Sequence, residues 1–148
     1  MGKVQVGIAV LVVGIIIAVS LLNTANTFCK GDAICYTGKV TKVVDGDTIH
    51  SIPYKIRLAL VDTPEIGEVG YSEATDFTAS LCPVGSFILV DQDDLQPFDK
   101  YDRMLGLVYC NGINLSSELL ENAHGVMMVQ YCGTSEFADE AWAVKFGC

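Results

Sequence analysis

Cationic residues are scarce in this chain. Its 148 residues carry nine Lys and Arg against eighteen Asp and Glu, a formal net charge of −9. Long-range steering of a polyanion by the whole molecule is therefore weak or unfavourable, and a broad basic face of the usual nucleic-acid-binding kind is missing. Histidine is scarcer still. His50 and His124 stand far from any matching cysteine spacing and no Cys-x-x-Cys pair occurs, which argues against a zinc site. Both histidines read as structural, without an acid–base role, and the lone tryptophan, Trp142, reads as core packing of a last helix. No internal repeat or low-complexity run is present.

Charge is absent altogether from Val4 to Leu22, 19 residues that are polar only at Gln5 and Ser20. As a helix this stretch would be about 28 Å long, close to the roughly 30 Å of a bilayer's hydrocarbon core. Lys3 precedes it, so the positive-inside rule places the amino terminus in the cytoplasm and everything after Leu22 outside. Its length favours a retained membrane anchor over a cleaved signal peptide, although Ala18-Val19-Ser20 and Ala25-Asn26-Thr27 both loosely fit a cleavage site. Asn23 to Thr27 reads as a linker, giving residues 1–27 as leader and residues 28–148 as one exported domain, long enough for a sizeable core. Without Lys3 that domain has 8 basic and 18 acidic residues, a net charge of −10. Six cysteines lie beyond the leader, an even number that implies disulfides in an exported domain. They allow about fifteen pairings. Their placement favours Cys29–Cys35, Cys82–Cys110 and Cys132–Cys148.

Within the domain, strand patterns come first and helical ones later. Gly38 to Val44 alternates and is β-branched, Asp45-Gly46 is a turn, and Thr48 to Ser51 and Tyr54 to Val61 resume the extended pattern on either side of Pro53, predicting a three-stranded meander. A short helix over Ser72–Leu81 follows, capped near Ser72 and stopped by Cys82-Pro83, with Phe77 and Leu81 as its core contacts. Ser86 to Asp91 and Met104 to Cys110 make five strands. Asn114 to Ala123 reads as a helix with Leu115, Leu119 and Leu120 as its stripe, and Ser135 to Phe146 as a third. The predicted class is α+β, mainly β: a five-stranded Greek-key barrel of the OB type with about three helices. The run Asp91-Gln92-Asp93-Asp94 reads as a solvated turn, since it lacks the long ligand loop of an EF-hand.

Three short motifs bring hard oxygen ligands and guanidinium groups into this one domain: Asp45-Gly46-Asp47-Thr48, then Arg57-Leu58-Ala59-Leu60-Val61-Asp62-Thr63-Pro64-Glu65, then Asp99-Lys100-Tyr101-Asp102-Arg103. Carboxylates suit an oxygen-seeking cation such as Ca²⁺, and planar Arg forks suit a phosphate that gains negative charge when attacked. That chemistry is the signature of a divalent-metal phosphodiesterase. Taken singly the motifs are bland: a hairpin turn, a turn with a helix cap, an exposed ion pair.

In combination and in this order the motifs resemble the staphylococcal (micrococcal) nuclease family, with the likeness running from about Thr37 to Tyr131. The resemblance implies that Asp47 and Asp62 are carboxylate ligands of one Ca²⁺, with the Thr63 carbonyl beside them. It implies that Glu65 is the general base or water-positioning carboxylate, and that Arg57 and Arg103 clamp the phosphate. Lys100 and Tyr101 match positions that contact the nucleotide, and Tyr131 is placed as a second stacking ring. The implied activity is hydrolysis of DNA and/or RNA leaving 3′-phosphates, by a monomer. Three departures stand out: Asp102 where the family usually has glycine, a shorter loop from Glu65 to Glu73, and Ser116 in place of a customary Asn. Two other readings remain open. One is an inactive OB-type module that grips nucleic acid without cutting it; the other is a membrane-displayed interaction domain whose acidic surface meets a basic partner.

Overall fold

A computed structural model describes residues 28–148. The chain divides into one unit ending at Lys30 and another running from Gly31 to Cys148, and the second carries every element below. The expected span Val4–Leu22 and its linker lie outside the described residues; among the described residues no helix is long and apolar enough to cross a membrane.

The sheet begins with one extended stretch that changes partners halfway. Strands β1 (Cys35–Lys39) and β2 (Lys42–Val43) flank Val40 and Thr41. Val40 donates its N–H to the Ser86 carbonyl, while Thr41 donates to the His50 carbonyl, so adjacent residues face different neighbours. β3 (Thr48–Ser51) and β4 (Tyr54–Leu58) form the expected hairpin, with a cis Ile52–Pro53 bond in its turn. β6 (Phe87–Gln92) and β7 (Met104–Cys110) are the longer central strands, and the seven-stranded sheet runs β1-β6-β7-β4-β3-β2 with β8 (Ile113–Asn114) alongside β7. β5 (Val61–Asp62) pairs separately with β9 (Val126–Met127).

The mainly β, α+β class holds; the five-stranded OB-type barrel expected from the sequence is replaced by a sheet that does not close by pairing. The hydrogen-bonded ladder is an open path whose two end strands are joined by chain continuity at Val40 and Thr41 rather than by pairing. Tyr54 to Val61 is likewise not one strand, because Leu60 takes a left-handed conformation at φ 63° and separates β4 from β5. A bulky residue in that region marks local backbone strain.

Alternation along the hairpin sorts the side chains. Ile49 and its partner Ile56 are buried in the core with Val90, Leu107 and Phe137, whereas the pairs Thr48–Arg57 and His50–Lys55 lie on the opposite face. That outer face carries the chemistry described below.

Helix α1 (Tyr71–Leu81) starts at Gly70, whose φ of 93° replaces the side-chain cap expected near Ser72. Phe77 and Leu81 pack against the core as expected, and buried Thr78 donates its hydroxyl to the Gly46 carbonyl at 2.6 Å, tying α1 to the Asp45-Gly46 turn. A Cβ on Gly46 would meet Thr63 Oγ1 at 2.7 Å and Ala74 Cβ at 2.8 Å, so the turn can approach α1 only because this residue is glycine. Helix α2 (Leu115–Glu121) is capped by Asn114, whose Oδ1 accepts from the Ser117 N–H, and buries Leu115, Leu119 and Leu120.

The predicted helix over Ser135–Phe146 is broken in two. A 3₁₀ turn, Glu136–Asp139, is followed by α3 (Ala141–Lys145), because Glu140 between them is extended at ψ 142°. Trp142 still packs into the core. Another 3₁₀ segment, Val129–Thr134, precedes them and buries none of its residues. Asp91 to Asp94 also departs from expectation: Asp91, Gln92 and Asp93 are buried, and Asp93 Oδ1 accepts from the N–H groups of Leu95, Gln96 and Glu136. This carboxylate organises a turn instead of sitting in solvent.

Disulfides Cys82–Cys110 and Cys132–Cys148 form as expected, the first joining the end of α1 to β7 and the second fastening the last residue to the Val129–Thr134 segment. Cys29 and Cys35 are disulfide-bonded as well.

Candidate active site

The site is assembled around one buried guanidinium. Arg57 leaves β4 on the outer face, 7% exposed, and its Nε lies 3.1 Å from Asp47 Oδ1. Its NH2 group donates to Asp62 Oδ1 at 2.7 Å, and its NH1 group donates to the Leu58 and Val61 carbonyls. Most of the five donors of this side chain are thereby engaged inside the protein. The left-handed Leu60 turns the Val61 carbonyl and Asp62 back towards Arg57, which ties the strain at Leu60 to the shape of the site.

Asp47 is 2% exposed and fully partnered. Oδ1 accepts from Thr48 Oγ1 at 3.0 Å, and Oδ2 accepts from the Thr63 N–H at 2.7 Å and Thr63 Oγ1 at 2.9 Å. Burial pushes its carboxyl above the usual value; the Arg57 guanidinium pulls it down, and nearby Asp45 adds to the rise. Asp45 in turn accepts from the Asp47 N–H, which fixes the turn.

Arg103 is placed by a different loop. Asp99 accepts from Arg103 Nε at 2.7 Å and from the backbone N–H groups of Tyr101 and Arg103. Burial raises the Asp99 carboxyl, but those hydrogen bonds and the Arg103 charge outweigh it and hold it below the ordinary value. Asp102 sits at φ 63°, the left-handed conformation that makes glycine usual there and that Asp tolerates better than most residues. Arg103 NH1 reaches Thr48 Oγ1 at 3.4 Å, leaving its terminal nitrogens far less committed than those of Arg57. Thr48 therefore links the two arginine clusters. Sequence reasoning assigned it no role, although it closes the Asp-Gly-Asp-Thr motif.

A cavity of about 260 Å³ opens over this face, lined by Arg57, Arg103, Lys100, Tyr101 and Tyr131, with Leu60, Met128 and Ser135 among its walls. The Tyr101 ring lies 5.5 Å from the Arg103 guanidinium carbon and 4.9 Å from Lys100 Nζ. The structure thus gathers both arginines and all three expected nucleotide contacts around one pocket. Leu60 and Met128 were not foreseen; apolar wall residues carry no motif.

Asp62 and Thr63 line a separate, shallower cleft with Pro64, Glu68 and the Ala123–Val126 turn. Glu65 lines neither pocket. It lies exposed on a turn in which its N–H donates to Glu68 Oε2 while the Glu68 N–H donates to its carbonyl, and its own carboxylate makes no hydrogen bond or ion pair among the described residues.

The donors around Asp47 fit a hard cation in kind. Asp45, Asp47 and Asp62 against Arg57 leave an excess of two negative charges, and every donor atom is oxygen. Their present arrangement is that of an ion-pair cluster: among the described residues no three acidic, histidine or cysteine side chains converge as a metal cage. One oxygen of each carboxylate, Asp47 Oδ1 and Asp62 Oδ1, faces Arg57, while Asp47 Oδ2 is held by Thr63.

Comparison with known proteins agrees with the motif reading. Residues 55–142 match the model of the staphylococcal nuclease homologue family. An uncharacterized protein of Methanocaldococcus jannaschii is 33% identical over 136 residues, covering 71% of this chain and 64% of the relative. An uncharacterized protein of Bacillus anthracis is 30% identical over 99 residues, covering 61% of this chain and 46% of the relative. A protein of Shigella flexneri named micrococcal nuclease is 35% identical over 78 residues, 50% of this chain and 42% of that protein. The chain thus spans less than two thirds of the length of each of these relatives. The matched segment begins in β4 beside Arg57 and takes in Asp62, Glu65, Arg103 and Tyr131, and by it this chain belongs to the family of staphylococcal nuclease homologues.

Proposed function

We propose that this protein is a Ca²⁺-dependent nuclease that hydrolyses phosphodiester bonds of DNA and/or RNA and leaves 3′-phosphates. The observation that carries the reading is the pairing of two arginines with two tyrosines and a lysine around one pocket: cations for a phosphate and rings for its bases.

The roles differ by geometry. Arg103, with its terminal nitrogens open to the pocket, grips the phosphate and stabilises the charge that builds up as the phosphorus becomes five-coordinate. Arg57 adds its charge from below while holding Asp47 and Asp62 in place. Tyr101, Lys100 and Tyr131 position the nucleotide. Glu65 lies outside both pockets, with a carboxylate that has no partner among the described residues, and takes its role as acceptor of the attacking water's proton from the family resemblance. Asp47, Asp62 and the Thr63 carbonyl would hold Ca²⁺, which supplies polarisation of a phosphate oxygen when bound. Extracytoplasmic placement by the Val4–Leu22 segment fits this reading, since calcium is plentiful and disulfides persist outside the cell.

End chemistry tests the proposal. A single-stranded oligonucleotide digested by the full chain with Ca²⁺ should yield fragments whose 3′ ends accept no nucleotide from a terminal transferase until a phosphatase has acted. Fragments extendable without phosphatase treatment would contradict it.

A further inference from the structure

The outer face that carries Arg57 does not end at the pocket. Lys55 lies two residues from Arg57 on β4, so the two side chains share a face and stand about 7 Å apart along the strand. Register extends the row across the sheet: Lys55 pairs with His50 on β3, and His50 pairs with Lys42 on β2. On the pocket side the same face continues through Thr48, the register partner of Arg57, to Arg103. A line of basic groups therefore runs from the pocket outward across three adjacent strands.

Two properties make this line unusual in so acidic a chain. Residues 28–148 contain eight Lys and Arg, and five of them, Arg57, Lys100, Arg103, Lys55 and Lys42, belong either to the pocket or to this row. Lys42 and Lys55 are both exposed, and neither forms an ion pair among the described residues. His50 stands between them in the register, and burial first, then Lys42 and Lys55, lowers its pKa from the usual value.

We propose that Lys42, His50 and Lys55 form a track for the phosphates of a single-stranded nucleic acid beyond the nucleotide held in the pocket. The inference rests on the nuclease reading and extends it to substrate length. Spacing along β4 is of the order of the separation between successive phosphates in an extended strand. Continuity with Arg57 and Arg103 favours a strand that enters the pocket over a flat anionic surface. Concentrating five of the eight cations of residues 28–148 in the pocket and this row guides a single polyanion by short-range contact where long-range steering fails.

The test compares the full chain with its Lys42→Ser, Lys55→Ser double variant, both residues being exposed and outside the pocket lining. Steady-state cleavage is measured on a dinucleotide and on a twelve-nucleotide strand. The twelve-nucleotide KM should rise roughly tenfold, and the slope of its logarithm against log salt should fall by about 1.4, the value for two contacts to single-stranded phosphates. Dinucleotide kinetics should stay within twofold. Equal loss on both substrates, or no change on the longer one, overturns the track. Fluorescence anisotropy of the twelve-nucleotide strand, in a Glu65→Gln background, separates the two proposals. Lysine-dependent binding without cleavage by the parent chain would sink the nuclease reading alone, and cleavage with lysine-independent binding would sink the track alone. Lysine-dependent sedimentation with phosphatidylserine vesicles, while strand affinity is unmoved, would overturn the track in favour of a lipid surface.

Discussion

Replacing Glu65 with Gln should lower the turnover of a single-stranded oligonucleotide by about 10²–10⁴-fold, the usual range for loss of a positioned general base. Affinity for the strand and the unfolding midpoint should stay close to those of the parent chain. The reason lies in its surroundings. Glu65 is exposed, its carboxylate has no partner among the described residues, and only its backbone joins the Glu65–Glu68 turn. Nothing in the fold depends on the charge, so a large kinetic effect without a stability effect would identify a group that works only on the reaction. Single-turnover rates, anisotropy and a urea titration on the same two proteins check it. Unchanged turnover would remove Glu65 from the mechanism.

Arg57→Ala should show the opposite pattern, with stability falling together with activity. The substitution leaves Asp47 buried with its cationic partner gone, and truncating one side of a buried pair costs about 3–5 kcal/mol. The loss should also depend on pH. Asp47 already has a raised carboxyl in the intact fold, from burial first and Asp45 as well, and Arg57 is what opposes that rise. With Arg57 removed the carboxyl moves further up. An acid whose folded pKa lies above its unfolded value contributes stability that is full below the unfolded value and is lost as pH rises through the folded one. The variant's deficit should therefore be largest near neutrality and shrink on acidification towards about pH 4. Urea midpoints from pH 4 to 8 measure it; a deficit independent of pH would mean that Asp47 is not what Arg57 neutralises.

These two residues also show how far the sequence could be read. That Asp47, Arg57, Asp62 and Arg103 would be brought together was legible because their motifs combine short range with distinctive chemistry, and the register of β3 with β4 sets Thr48 opposite Arg57. Their relative roles were not legible. Both arginines read alike as phosphate clamps, yet Arg57 is engaged by four protein oxygens and Arg103 chiefly by Asp99. Two of those four oxygens, on Val61 and Asp62, follow the left-handed Leu60, which no local pattern announces. The barrel expectation failed for a related reason. Pattern reading finds strands one at a time, and cannot see Val40 and Thr41 facing two different neighbours. Asp93 misled it too, because an acidic run reads as solvent-facing until three N–H donors converge on one oxygen.

Calcium dependence rests on Asp47 and Asp62, each of which already gives one oxygen to Arg57 and would share its carboxylate between that guanidinium and a cation. The measurement that tests this most directly is the initial rate of cleavage of an end-labelled single strand by the full chain across a calcium titration, with chelator added and then overcome. The account predicts cleavage that rises with Ca²⁺ to saturation, falls to background with chelator, and returns with excess Ca²⁺. Cleavage indifferent to chelator, or a strand that is bound yet uncut at every calcium concentration, would contradict it.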